Sequence, residues 1–275
     1  MSQMPKAPPA ADAPFLLAGA PNFRSIASLP GTAGGRLRPD RLFRSDALNR
    51  LSDADLGRFA GLGIGAVLDL RRPDERGWAP SRLPSDPAPQ TFVFDSPEEL
   101  AAVRPSTWRN QLDSPHFDAA AASAWMIDTY TRLPDAFARS VRIAAERLGA
   151  APPGDTPAQP VLVHCTAGKD RTGFVCAVLL SAIGVSWDDI LADYLESSRR
   201  RPPRDLALSL LGPGTLESSE RALSAVEVIA GVRPEFLVAA FDTLRATHGS
   251  LDAYLSNACG LDAPAVERLR HQLLV

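Results

Sequence analysis

Residues 161–174, Val-Leu-Val-His-Cys-Thr-Ala-Gly-Lys-Asp-Arg-Thr-Gly-Phe, constrain this chain more than any other stretch. The β-branched run at 161–163 reads as a buried strand, Gly168 permits a tight bend, and 173–183 reads as a buried helix. Strand, short loop and helix in that order put Cys165 and Arg171, spaced Cys-x5-Arg, on a loop at a helix N-terminus, where unpaired backbone N–H groups converge. Such a loop suits a phosphate group. Cys165 faces the phosphorus, while the backbone of Thr166, Ala167 and Gly168 and the guanidinium of Arg171 surround the equatorial oxygens. The helix dipole, with His164 and Lys169, favours the thiolate. Thr172 is placed to hydrogen-bond the sulfur and help it leave, and the implied product of attack is a cysteinyl-phosphate intermediate.

Competing readings of the same residues are weaker. A Walker A loop requires Gly five positions before Gly168, where Val163 stands, and Lys169 is followed by Asp170 instead of a hydroxyl residue. A sulfurtransferase has no need for the Arg171-Thr172 pair, and an inert buried cysteine would need no loop at all. Hydrolysis of a phosphate ester also needs a proton donor for the leaving oxygen. Asp170 is the first candidate, with a loop-shaping hydrogen bond as its alternative role; Asp69 and Asp118 follow it. Asp69 and Arg71 are expected at the substrate mouth with Lys169. Arg71 and Arg72 could take substrate phosphate or pair with Asp74 and Glu75, and pairing is expected for Arg72.

The segment His-Cys-Thr-Ala-Gly-Lys-Asp-Arg-Thr-Gly, residues 164–173, resembles the signature of the protein tyrosine phosphatase superfamily, and its Lys169-Asp170 pair resembles the bacterial tyrosine/serine and lipid phosphatase group. Asn22-Phe23-Arg24 and the stretches at 42–48, 67–71 and 250–255 follow that group's order, so the resemblance spans residues 15–275. Ser25 departs from it, since the group carries aspartate there. The resemblance implies a cysteine-dependent phosphatase for phosphotyrosine, extending to phosphoserine, phosphothreonine and phosphoinositides, without metal or cofactor. It also implies a two-helix lid and export without a conventional signal peptide. The Trp-Pro-Asp tripeptide that supplies the acid in the best-known tyrosine phosphatases is missing from this sequence. A reading from another class is a noncatalytic phosphate-binding relative, against which the intact Cys165, Arg171 and Thr172 argue.

With 275 residues, 45% of them hydrophobic, the chain is long enough to bury a sizeable core as one domain over 15–275. A net charge of −3 gives no reason to expect nucleic acid. Three cysteines, one inside the loop, argue against a disulfide framework and for a reducing compartment. No apolar run reaches the roughly 18 residues that would mark a membrane span, and the first 14 residues, rich in Pro and Ala, read as a disordered tail without signal-peptide layout. The expectation is a cytoplasmic monomer acting on a phosphorylated protein or phosphoinositide.

Ser52-x-x-Asp55 opens a helix over roughly 53–62 that Gly63 stops. Strands are expected at 64–70, 91–94 and 161–164, a helical stretch interrupted near Pro134 at 119–148, a connector at 150–160, and a helix capped by Ser186 that ends at 199–201. Further helices are expected over 205–230, divided by Gly212-Pro213-Gly214, and at 234–247 and 263–274. Strands alternating with helices predict an α/β fold: a central, mainly parallel sheet flanked by helices, with extra C-terminal helices and the site at the carboxyl ends of strands. The segment 205–230 is either a mobile lid or fixed packing on the sheet.

Overall fold

The structure, a computed structural model, describes residues 17–26, 29, 36–94, 100, 102, 104–150, 158–212 and 219–275. The tail at 1–14, most of the connector at 150–160, and Pro213 and Gly214 lie outside them. Five strands, β1 (Arg24–Ser25), β2 (Leu42–Ser45), β3 (Ala66–Asp69), β4 (Gln90–Val93) and β5 (Val161–His164), form one sheet in the order β1-β2-β5-β3-β4. All neighbours are parallel except β1, which pairs antiparallel with β2 at one edge. The register sets both Ser45 and Asp69 opposite His164. The chain therefore leaves β2, β3 and β5 side by side, at Asp46, Leu70 and Cys165.

Successive strand residues face opposite sides of a sheet, and this sheet is covered on both. Phe43, Val67 and Leu162 meet Phe23 and Phe59 on one face, under α1 (Asp53–Gly61). Leu42, Leu68, Val161 and Val163 join the larger core on the other. The cap of α1 is the one its spacing predicts: the Ser52 hydroxyl accepts the Asp55 N–H while the Asp55 carboxylate accepts the Ser52 N–H. The larger core is built from α4 (Ala119–Thr131), α5 (Leu133–Gly149), α6 (Asp170–Ala182), α7 (Trp187–Arg200), α9 (Glu220–Ala230), α10 (Pro234–His248) and α12 (Ala263–Leu273). Nearly every residue of α6 is buried, as expected for a helix that is apolar all round.

Helix α6 begins at Asp170, three residues ahead of the expected start. Once Gly168 has turned the chain at φ +68°, the backbone closes directly into the helix, so Asp170, Arg171 and Thr172 stand on its first turn. Three short helices went unread in the sequence: α2 (Pro73–Trp78), α3 (Pro105–Leu112) and α11 (Leu251–Asn257). Proline in the first turn of α2 and α3 is a readable start signal, but six to eight residues give too little periodicity to confirm a helix. The stretch 205–230 resolves into α8 (Pro203–Leu211) packed on α9, which packs on α4. Among the described residues no helix is long and apolar enough to cross a membrane.

Candidate active site

Cys165 follows β5, and Thr166, Ala167 and Gly168 carry the chain into α6. Gly168 is required twice over. Its φ is positive, and a Cβ there would lie 2.5 Å from the carbonyl carbon of Ser45. Its N–H donates to Cys165 Sγ at 3.3 Å. The loop carbonyls are anchored on the opposite side: Asn22 Nδ2 donates to Ala167 O at 2.9 Å and to Gly168 O at 3.0 Å, and Arg44 donates to Gly168 O at 2.8 Å. In a planar trans peptide N–H and C=O point in opposite directions. Fixing these two carbonyls on one side therefore turns the N–H groups of Gly168 and Lys169 to the opposite side, where that of Gly168 meets the sulfur.

The anchors are themselves held. Arg24 Nε donates to Asp193 Oδ1 at 2.9 Å and Arg44 pairs with Oδ2 of the same carboxylate, while both guanidiniums reach the Ser197 hydroxyl. Burial alone would raise the Asp193 carboxyl, but the two guanidiniums outweigh it and hold the group at about 2. Asp193 is thus an anion at any working pH. Neither Arg24 nor Arg44 can leave without exposing a buried charge.

On the first turn of α6, Arg171 is gripped by Glu75 of α2: NH1 to Oε2 at 2.6 Å and NH2 to Oε1 at 2.8 Å, with NH1 also donating to Leu70 O at 3.2 Å. The Thr166 hydroxyl donates to Glu75 as well. Burial opposes ionisation of Glu75, yet Arg171, Thr166 and the Arg72 N–H together hold its carboxyl at about 2. Burial likewise disfavours the Arg171 cation, and Glu75 reverses this and raises it above the ordinary value. Glu75 was expected beside Arg71 or Arg72. Arg72 does pair with Asp74, Nε to Oδ1 at 3.3 Å, but the Glu75 carboxylate serves Arg171.

The other residues singled out by sequence divide between the loop and its supports. Arg71 and Asp69 engage each other, Nε to Oδ1 at 2.9 Å and NH2 to Oδ2 at 2.7 Å, and Arg71 also donates to Ala79 O and Ser81 Oγ. His164 lies 3.6 Å from Asp69, but burial outweighs that carboxylate and lowers the imidazole, leaving it neutral. It brings no positive charge to the sulfur. Lys169 is committed within the protein: Nζ donates to Asp170, to Ile229 O at 2.9 Å and to Gly231 O at 3.1 Å, at the end of α9. Asp170 has both oxygens within 2.8 Å of Lys169 Nζ. Its Oδ1 also accepts the Tyr130 hydroxyl at 2.7 Å, and Tyr130 in turn meets Tyr194. Asp118 caps α4 by accepting the Ala121 N–H, and Ser25 accepts the Asp40 N–H. The Thr172 hydroxyl is buried with no hydrogen-bond partner. Cys165 and Arg171 are each only 2% exposed.

A model of the tyrosine phosphatase family matches residues 15–275. The chain belongs to this family. It is 37% identical to the triple specificity protein phosphatase PtpB of Mycobacterium tuberculosis, over 94% of this chain and 98% of that one. A protein of Cupriavidus necator named as a tyrosine-protein phosphatase is 34% identical over 88% of this chain and 82% of its own. The tyrosine-protein phosphatase of Nostoc commune is 31% identical over 69% and 65%. Family membership makes the chain a phosphatase of bacterial type. It also gives weight to residues that sequence reasoning left without a role. Asn22, Arg24 and Arg44 lay inside the motifs that carried the resemblance, whereas Glu75 had no signal beyond its place in the first turn of a helix that begins with proline.

Proposed function

We propose that the chain hydrolyses phosphate monoesters, phosphotyrosine foremost, through a cysteinyl-phosphate intermediate on Cys165. The observation that carries this reading is the Gly168 N–H aimed at Cys165 Sγ at the head of α6, with Arg171 rising from the first turn of the same helix. The inward amides and Arg171 bind the three non-bridging oxygens of the ester. The thiolate of Cys165 attacks in line, the S–P bond forms as the P–O ester bond breaks, and the leaving oxygen takes a proton from solvent. A water molecule then attacks phosphorus and passes its proton to solvent, the S–P bond breaks, inorganic phosphate departs, and the thiolate of Cys165 is regenerated. Thr172 donates to the sulfur as it leaves; a buried hydroxyl without a partner costs about 1–3 kcal/mol, which such a role would offset.

Asp170 fits the loop-shaping role better than that of proton donor, because Lys169 and Tyr130 occupy its carboxylate. Asp69 is committed to Arg71 and Asp118 to the cap of α4. For residues 205–230 we favour the lid. Arg201 links Ser209 of α8 (NH2 to Oγ, 2.9 Å) to Asp46 at the end of β2, which brings α8 near the site, and Gly212 ends α8 at φ +87°. The triple specificity in the name of the Mycobacterium relative supports a range wider than phosphotyrosine, which we extend to phosphoserine, phosphothreonine and phosphoinositides. A noncatalytic phosphate binder would need neither the sulfur nor Thr172. The test is phosphate release from a phosphotyrosine peptide, a phosphoserine peptide and phosphoinositides in parallel, with Cys165→Ser as control. Release by the parent and none by the variant is expected; a variant within about tenfold of the parent, roughly 1.4 kcal/mol of barrier, would refute the assignment of Cys165.

A further inference from the structure

Trp78 is 92% exposed, beside a site whose working residues are buried. Its backbone is nonetheless tightly fastened. Three residues earlier Glu75 is locked to Arg171. One residue later Ala79 donates its N–H to Glu75 O at 3.1 Å and accepts from Arg71 NH1 at 2.6 Å. Residues three apart in a helix have Cβ atoms about 5–6 Å apart. The indole therefore starts about one helical turn from the carboxylate that holds Arg171, a large apolar surface left to water on a fixed support.

Val93 adds to it. It is 51% exposed and ends β4, and because β4, β3 and β5 are parallel it lies at the same end of the sheet as Cys165. Arg76 of α2 donates to Phe94 O at 3.2 Å, tying the helix that carries Trp78 to the residue after Val93. Among the described residues only three large hydrophobic side chains are this exposed, and two of them flank this tie.

We propose that Trp78 docks an apolar side chain of a phosphorylated protein segment whose phosphate ester enters at Cys165. This rests on the phosphatase reading and defines the protein-substrate surface of the same site. Tryptophan suits such a contact because it offers a wide face at little conformational cost. A bilayer fits less well. Two apolar residues fall short of the apolar face that seats a helix in a membrane interface, and a net charge of −3 offers no attraction to anionic lipid.

The test uses two phosphotyrosine peptides, identical except for Leu or Gly at the positions flanking phosphotyrosine, and a small aryl phosphate that does not reach Trp78. The peptides are compared by kcat/KM on the parent and Trp78→Ala proteins, and by Kd on the Cys165→Ser protein with and without Trp78→Ala. The parent should prefer the Leu peptide by about five- to tenfold, the size of a partly buried apolar contact. Trp78→Ala should erase that preference in both readouts and leave the aryl phosphate and the melting temperature unchanged. A Leu/Gly ratio untouched by Trp78→Ala overturns the proposal, as does an equal loss on peptide and aryl phosphate, or binding to anionic vesicles that Trp78→Ala abolishes. Failure of the phosphatase reading has a different signature: no turnover of the aryl phosphate by the parent protein, while the Kd ratio still reports on Trp78.

Discussion

Replacing Glu75 by Gln removes a charge from the ion pair that fixes Arg171 and changes almost no volume. The carboxyl is held at about 2 against an ordinary 4.5, and its side chain is only 14% exposed. At about 1.4 kcal/mol per pKa unit this depression corresponds to about 3 kcal/mol of folding stability at neutral pH. The figure agrees with the roughly 3–5 kcal/mol lost when one partner of a buried pair is removed. At about 2–4 °C per kcal/mol for a domain of this size, Glu75→Gln should melt roughly 6–12 °C below the parent. The pH dependence has a definite sign. The folded-state value lies below the unfolded one, so the contribution is complete above about pH 4.5 and is lost as pH falls toward 2. Urea unfolding of both proteins from pH 7 to pH 3 should show a gap that narrows below pH 4.5. A gap under about 0.5 kcal/mol at pH 7, the ordinary scatter of surface substitutions, or a gap independent of pH, would refute the electrostatic account of this pair.

Asn22→Ala frees the carbonyl of Ala167 and leaves that of Gly168 to Arg44 alone, removing two buried hydrogen bonds worth about 1 kcal/mol each; competitive inhibition by phosphate or vanadate should weaken at least about tenfold, and an unchanged inhibition constant would contradict the anchoring role. Asp170→Asn should slow an alkyl phosphate and an activated aryl phosphate by the same factor, whereas a much larger loss on the alkyl ester would return the proton-donor role to Asp170. Burial pushes the thiols of Cys176 and Cys259 up to about 12 and about 11, so limiting peroxide should modify Cys165 first by peptide mass mapping; equal or faster oxidation of Cys176 would contradict this.

The strand-loop-helix unit at the centre of the fold was readable because each part has a local cause: β-branched residues at 161–163, a glycine that must turn, and an apolar run after it. The same holds for the Ser52 and Ser186 caps, whose partners lie three residues away. What escaped reading depends on distant pairs. Asn22 meets the loop across 145 residues, Arg44 across 124 and Glu75 across 96. No spacing rule links them. Lys169 illustrates the converse. Its position in the loop suggested a cation at the mouth, and the carbonyls at the end of α9, far along the chain, take its ammonium as partners that no local spacing announces.

The central claim is that phosphorus becomes bonded to the sulfur of Cys165. Rapid denaturation of the protein during turnover of a radiolabelled aryl phosphate, followed by proteolysis and peptide mapping, tests it directly. The account predicts label on the peptide that contains Cys165, and none in Cys165→Ser, which should still bind phosphate through Arg171 and the inward amides. Turnover that proceeds with no labelled protein, or with the label on another residue, would contradict it.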